Sequence, residues 1–231
     1  FGLNRGKVVG LPEDVHEITG PQYGDVFTSA YLGGSTTALT GKDYQRNAAG
    51  QVIVDANGFP KINPNKNELI GNREAKFQAG LNSSMSIYGV QFSFLFDGRL
   101  GGDVVNVTGR NMISSGNHKI LEKYRGRQVV FDGVMEQVDE AGNVTYVPNT
   151  KPITLNQTNI SNFFTQVSTN FIEDGSYLRL SYVTLGYDFA KLMKNQKFFK
   201  GLKLNFTCNN VFVLTKYTGT DPVCNASTGQ G

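Results

Sequence analysis

Apolar and polar residues alternate in four short runs along the chain. From Phe77 to Met85 the apolar positions are Phe77, Ala79, Leu81 and Met85, while Gln78, Gly80, Asn82, Ser84 and Ser86 are small or polar. After Tyr88-Gly89 the phase restarts, with Val90, Phe92, Phe94 and Phe96 set against Gln91, Ser93 and Asp97. Two runs of period two across a tight glycine-containing turn predict a β-hairpin over residues 77–97. A third run, opened by the turn signal Glu173-Asp174-Gly175, predicts a strand over 177–189. Leu178 and Leu180 lie on one phase, whereas Val183, Leu185, Tyr187 and Phe189 lie on the other, so a bulge or register slip is expected near Ser181-Tyr182. The last run starts at Leu202 and sets Leu204, Phe206 and Cys208 against Lys203, Asn205, Thr207 and Asn209.

The segments between these runs carry no sustained period. Residues 1–70 are punctuated by Gly33-Gly34, Asn57-Gly58, Phe59-Pro60 and Asn63-Pro64, which predicts a long loop. One short hairpin is expected in it, Gln51 to Val54 turning through Asp55-Ala56-Asn57-Gly58. Residues 98–174 read as a second long irregular region, within which Val129–Val134 and Asn143–Val147 can pair. Lys191–Lys200 is enough for one or two helical turns ending at Gly201.

The apolar phase of the strands has little in the chain to cover it. A soluble sheet buries its apolar face against other elements, but in a transmembrane barrel that face meets lipid and the polar face meets a wet lumen. The fold class expected is therefore all-β, a transmembrane antiparallel β-barrel. Short joins at 86–89 and 190–201 would be periplasmic; 1–70, 98–174 and 215–231 would be long extracellular loops. Four strands, a hairpin over 77–97 and a strand pair over 177–214, cannot close. Plugged barrels of this kind reach about 22 strands, so the rest of the wall and the plug are expected on chain outside this sequence. The lumen-facing residues would be Gln78, Asn82, Gln91, Ser93, Lys203, Asn205 and Thr207. Tyr88, Tyr177, Tyr187 and Tyr217, near strand ends, are expected in an interfacial girdle.

Composition narrows the function. There are 27 glycines, 16 phenylalanines and 10 tyrosines, with only 18% charged residues, a mix that suits strands with polar loops. The net charge of +3 is scattered and gives no footprint for nucleic acid. No apolar run approaches the roughly 20 residues of a membrane helix. Phe1-Gly2-Leu3-Asn4-Arg5 is neither a signal peptide nor an initiation site, so the chain reads as an internal piece. Cys208 and Cys224 make no disulfide framework, and His16 and His118 are too far apart for a metal pair. Gly41-Lys42 lacks the rest of a phosphate loop, and Asp55–Gly58 reads as a turn rather than a calcium loop. The Asn-x-Ser/Thr sequons, Asn82 and Asn205 among them, follow from composition. Glu173 and Asp174 are adjacent at a turn and read as structural. No catalytic constellation, metal site or cofactor motif is expected, and the chain reads as a non-enzyme. Arg99, Asp103, Arg110, Asn111 and Tyr124 are the candidate ligand contacts; loop solubility is the plainer reading of each. Tyr23, Tyr31, Tyr44 and Tyr124 are loop tyrosines able to stack on sugar rings.

Four stretches carry a resemblance over most of the chain: FIEDGSYLRLSYVTLGY (171–187), GLKLNFTCNNVFVLTKYTGTDP (201–222), LIGNREAKF (69–77) with Gly80-Leu81-Asn82, and VQFSFLFDGRLGGD (90–103). The first two in their order along the chain, and the other two by place and spacing, resemble the C-terminal barrel region of SusC/RagA-type TonB-dependent outer-membrane transporters, whose tyrosine-glycine motif Tyr23-Gly24 loosely echoes. The resemblance implies TonB-energised import of an oligosaccharide or peptide, a SusD-like surface lipoprotein over the barrel, contact with the TonB complex through a plug outside this chain, and an outer-membrane lipid surround. Two other readings stand beside it: a TonB-dependent metal-chelate receptor without the lipoprotein, and a soluble secreted β-rich adhesin or binding module.

Overall fold

A computed structural model describes residues 1–3, 6–65, 67–191, 193 and 201–223. The strands in chain order are Glu17–Tyr23 (β1), Val26–Tyr31 (β2), Ala38–Gly41 (β3), Ile53–Val54 (β4), Glu68–Asn72 (β5), Phe77–Ile87 (β6), Val90–Leu100 (β7) and Asp103–Val105 (β8). After helices Val107–Ser114 (α1) and Ile120–Tyr124 (α2) come Gln128–Val130 (β9), Val134–Val138 (β10), Val144–Pro148 (β11), Pro152–Thr154 (β12), Ile172–Asp174 (β13), Tyr177–Asp188 (β14) and Lys203–Thr215 (β15). Contacts divide the chain into two compact units. One comprises residues 1–5, 74–102 and 174–217, the other residues 6–73, 103–173 and 218–231.

The first unit is a four-stranded antiparallel sheet in the order β6-β7-β14-β15, a meander of the four alternating runs. β6 and β7 pair without a break from Phe77↔Leu100 to Ile87↔Val90. Their turn holds Tyr88 at φ 50° and Gly89 at φ 93°, the two left-handed positions that match a tight hairpin to the twist of its strands. The phase break in β14 is a bulge. Leu180 pairs with Phe96 and Tyr182 with Leu95, leaving Ser181 without an opposite residue. Toward β15, Leu180 faces Phe212 and Tyr182 faces Asn209, so Asn210-Val211 cover the same interval, with Asn210 at φ 50°. Because one inserted residue reverses the side-chain phase, Leu178, Leu180, Val183, Leu185 and Tyr187 all return to one face.

That face also carries Leu81, Met85, Phe92, Phe94, Phe96, Leu204, Phe206, Cys208 and Phe212. Ring centroids of Phe92, Phe94 and Phe96 follow one another at 5.7 Å, and Phe96 meets Phe212 at 6.2 Å. Among the described residues no buried apolar side chain belongs to these four strands; Phe206 is 73% and Leu204 65% exposed.

The second unit corrects the expectation of two irregular loop regions. β1-β2-β3-β5 form an antiparallel sheet over a core of Tyr23, Val26, Leu39 and Val105, and a second core joins Ile113, Leu121, Ile160 and Phe171. The strands were illegible because most run two to five residues and many pair over long separations, so a period of two never accumulates. β4, for example, lies parallel to β10 through Ile53↔Val134 and Val54↔Met135. The hairpin expected from Val129–Val134 and Asn143–Val147 exists with its first arm displaced: β10 pairs β11, while β9 pairs β12. The Asp55–Gly58 turn is present, the Asp55 carboxylate accepting the N–H groups of Asn57 and Phe59, with Gly58 at φ 90°. The same device closes Asp139–Gly142 and Asn47–Gly50. Phe189–Lys191 is a single 3₁₀ turn; most of the helix expected through Lys200, and Cys224, lie outside the described residues.

Candidate functional site

The strand register sorts the side chains of the sheet by chemistry. Gln78 and Asn82 on β6, Gln91 and Ser93 on β7, and Lys203, Asn205 and Thr207 on β15 all share the face opposite the phenylalanines. Asp97, Arg99, Arg179, Tyr182 and Thr184 join them there, with Leu95 and Val213 as apolar exceptions. The polar groups bond across strands: Tyr182 Oη donates to Asn82 Oδ1 at 3.0 Å, the Thr184 and Thr207 hydroxyls meet at 2.9 Å, and Ser181 Oγ bonds Asp97 Oδ1. Gly186 leaves the space that the Asn205 amide occupies, since a Cβ there would lie 2.3 Å from Asn205 Oδ1.

Of the five candidate ligand contacts, Arg99 belongs to the first unit and Asp103, Arg110, Asn111 and Tyr124 to the second. Arg99 lies within β7, on the polar face and paired with Tyr177, its Nε donating to the Gly101 carbonyl at 3.1 Å. Asp103 opens β8 and accepts the Asn72 N–H at 2.8 Å. Arg110 on α1 is held as a strut, donating to the Thr165 carbonyl at 2.8 Å and ion-paired with Asp25. Its neighbour Asn111 is exposed. Tyr124 ends α2, half-buried, with the Lys123 ammonium 5.2 Å from its ring centre.

The tyrosines divide differently from the expectation. Tyr44 is buried, its hydroxyl accepting from Asn170 Nδ2 at 2.7 Å, and burial pushes its pKa above the ordinary value. Tyr23 is buried beneath the Arg73 guanidinium, 4.6 Å from the ring centre. Neither ring is free to stack on a sugar. Tyr217 is buried and Tyr177 shares the polar face with Arg99, so neither fits an interfacial girdle; Tyr88 is 87% exposed and Tyr187 lies on the apolar face. For Tyr23, Tyr44 and Tyr177 a core or cross-strand neighbour decides the ring's place.

A cavity of about 380 Å³ lies entirely within the second unit, against α2 and β9. Ile113, Leu121, Ile153, Ile160 and Phe163 form its buried floor, and Tyr124 and Asp132 are its polar members. Apart from Tyr124, sequence reading missed these residues. Their one signal was that Ile120-Leu121, Val129-Val130-Phe131 and Phe163-Phe164 are apolar pairs and triplets inside polar stretches.

No family model matches the chain. It is 22% identical over 213 residues to "TonB-dependent receptor P3" and 27% identical over 179 residues to "TonB-dependent receptor P39", both of Formosa agariphila, covering 90% and 74% of this chain. Over 58 residues, 24% of the chain, it is 41% identical to "TonB-dependent receptor SusC" of Bacteroides thetaiotaomicron. The chain spans 19%, 15% and 6% of the lengths of these relatives. Among solved structures it shares the fold of the RagAB peptide importer in the "open-open" state, with TM-score 0.54 and 15% identity over 94% of this chain and 22% of that one. A second RagAB peptide transporter structure matches at TM-score 0.54 and 18% identity, over 92% of this chain and 22% of that one. Sequence likeness to TonB-dependent receptors and the fold shared with the RagAB importer agree: the chain resembles a segment of a SusC/RagA-type TonB-dependent transporter.

Proposed function

We propose that the four-stranded sheet is a sector of the wall of an outer-membrane barrel of about 22 strands, in a transporter that imports an oligosaccharide or peptide under TonB control with a SusD-like lipoprotein at its mouth. The observation that carries this reading is the division of the sheet. One face is a continuous field of exposed and half-buried Phe, Leu and Val, and the other holds Gln78, Asn82, Gln91, Ser93, Lys203, Asn205 and Thr207. In water that apolar face would drive association, whereas against lipid it needs no cover. The polar face then lines the lumen, and the second unit supplies extracellular structure that meets the cargo. The names of the relatives support the import reading, and no covalent chemistry is needed for it.

Labelling in membranes tests the wall assignment. In the full-length protein with Cys208, Cys224 and any other native cysteine replaced by serine, Ser93→Cys should react with a membrane-impermeant maleimide and Phe94→Cys should not. Equal reactivity of the two neighbours would overturn the wall reading. Recovery of a lipoprotein with the detergent-extracted protein, and loss of cargo uptake on removing TonB, test the partner and the energy source.

A further inference from the structure

The cavity against α2 has a chemistry that the import reading does not specify. Its floor residues are between 3% and 7% exposed, while Ile120 and Val130 at its rim are 42% and 51% exposed. Only Asp132 carries charge among the lining residues, and only Tyr124 offers a hydroxyl. A space of this size would hold several waters of about 30 Å³ each, but water needs two to four polar partners and this floor has none. An apolar group is the better occupant. A sugar, with a hydroxyl on nearly every carbon, would leave most of them unpaired there.

Beside the cavity, sharing Ile120 with it, runs a shallow trough formed by His118, Lys119, Glu122, Lys123 and Arg127. Three cations stand there against one carboxylate, and among the described residues Lys119, Lys123 and Arg127 enter no ion pair. The adjacency follows from the local sequence. In α2 and its flanks, Ile120, Leu121 and Tyr124 line the cavity while Lys119, Glu122 and Lys123 line the trough, so one helical turn divides its apolar and charged residues between the two. His118 fixes the start of the helix, its Nδ1 accepting the Ile120 N–H at 3.2 Å.

We propose that this pair of surfaces is a binding site for a small amphipathic anion, its apolar group in the cavity and its carboxylate held by Lys119, Lys123 and Arg127. Asp132, the acidic member of the cavity lining, disfavours the reverse orientation. The C-terminal residue of a peptide and a free apolar acid both present this chemistry. The site stands on unit-two residues alone, independent of whether the protein imports what it binds.

The test is calorimetric titration of the purified full-length transporter in detergent with N-acetyl-Leu-Phe, its C-terminal amide, and octanoate. The free carboxylate should bind about fivefold tighter than the amide, with the gap narrowing at high salt, as expected of partly exposed charge pairs. The double substitution Lys123→Glu with Arg127→Glu should abolish that preference while leaving weak binding of the amide. Val129→Trp, which fills the cavity, should remove binding of all three probes, with circular dichroism confirming the fold. Tight octanoate binding alone would assign the site to free acids, and tight peptide-acid binding alone to peptide C-termini; either supports the proposal. Equal binding of acid and amide by the unaltered protein, or unchanged binding after both sets of substitutions, overturns it. Binding retained by a protein that imports neither probe supports the site by itself, apart from the import reading.

Discussion

Glu173 and Thr218 are locked together across 45 residues of sequence. The Glu173 carboxylate accepts the Thr218 N–H at 2.7 Å and the Thr218 hydroxyl at 2.8 Å, and it also accepts Asn106 Nδ2 at 2.7 Å. Asn106 in turn caps α1 through its Oδ1, which accepts the Gly109 N–H at 2.7 Å. The segment before β14 and the segment after β15, which carry the two most distinctive sequence stretches, are thus joined by one carboxylate. Asp174, next in sequence, bonds within its own turn. The Ser176 hydroxyl and N–H bonded to it hold its carboxyl below the ordinary range and shape the turn into β14.

Removing the clamp should cost more than either partner suggests alone. Charge-assisted hydrogen bonds contribute about 1.5–3 kcal/mol each at most, and Asn106, only 3% exposed, would lose an acceptor. Glu173→Ala should therefore destabilise the second unit by about 2 kcal/mol. A double-mutant cycle with Thr218→Val, read by urea unfolding of the detergent-solubilised protein, should show strong coupling. Additive losses would mean the contact is not formed.

The two faces of β7 should respond oppositely to charge. Phe94→Arg should impair assembly of the barrel by about 2–4 kcal/mol if that residue lies at mid-membrane depth, whereas Ser93→Arg, one residue away on the other face, should cost little. The yield of folded, heat-modifiable protein in outer membranes measures both.

The β6–β7 turn is held by a tyrosine in a conformation that bulky residues rarely adopt. Tyr88→Asn gives the Asn-Gly pair favoured at this turn and should stabilise the hairpin by up to about 1 kcal/mol. Gly89→Ala, at φ 93° with the Asp188 carbonyl 3.1 Å from the new Cβ, should destabilise it by a similar or larger amount. Shifts in unfolding midpoint check the signs.

Gly133 sits where β10 approaches β4. A Cβ there would lie 2.6 Å from the Val52 carbonyl oxygen and 2.9 Å from Val54 Cγ1. Gly133→Ala should cost about 1–3 kcal/mol, while Gly10→Ala, with nothing within 4 Å, should be close to neutral. Thermal unfolding of the two variants side by side would show the difference.

The turn at Asp139 should weaken in acid. Hydrogen bonds from the Asn143 side chain, then from its backbone, lower the carboxyl pKa below 3.8. A depressed folded-state pKa contributes stability that is present above the unfolded value and lost as pH falls through the folded one. Hydrogen exchange at Asn143, corrected for intrinsic rates, should be slower in the native protein than in Asp139→Asn at pH 5 and above. The difference should vanish in acid well below 3.8.

The four-stranded sheet was legible in its sequence because a strand with one apolar and one polar face writes a period of two into every residue pair. Phe92, Phe94 and Phe96 against Gln91 and Ser93 fixed the faces of β7, and the phase reversal at Ser181 announced the bulge before any pairing was known. The folded second unit was not legible. Its strands are short, its cores draw single residues such as Leu39, Val105, Ile113 and Phe171 from distant segments, and each residue looks like loop until its partner is found. For the same reason the sequence could nominate Arg110 and Tyr44 as candidate contacts but could not see that Asp25 and Asn170 engage them. Nor could it see that Leu121, Ile153 and Phe163 enclose one cavity. Local alternation is set by what each face of a strand must meet, which sequence records; enclosure is set by contacts between remote segments, which only the tertiary structure decides.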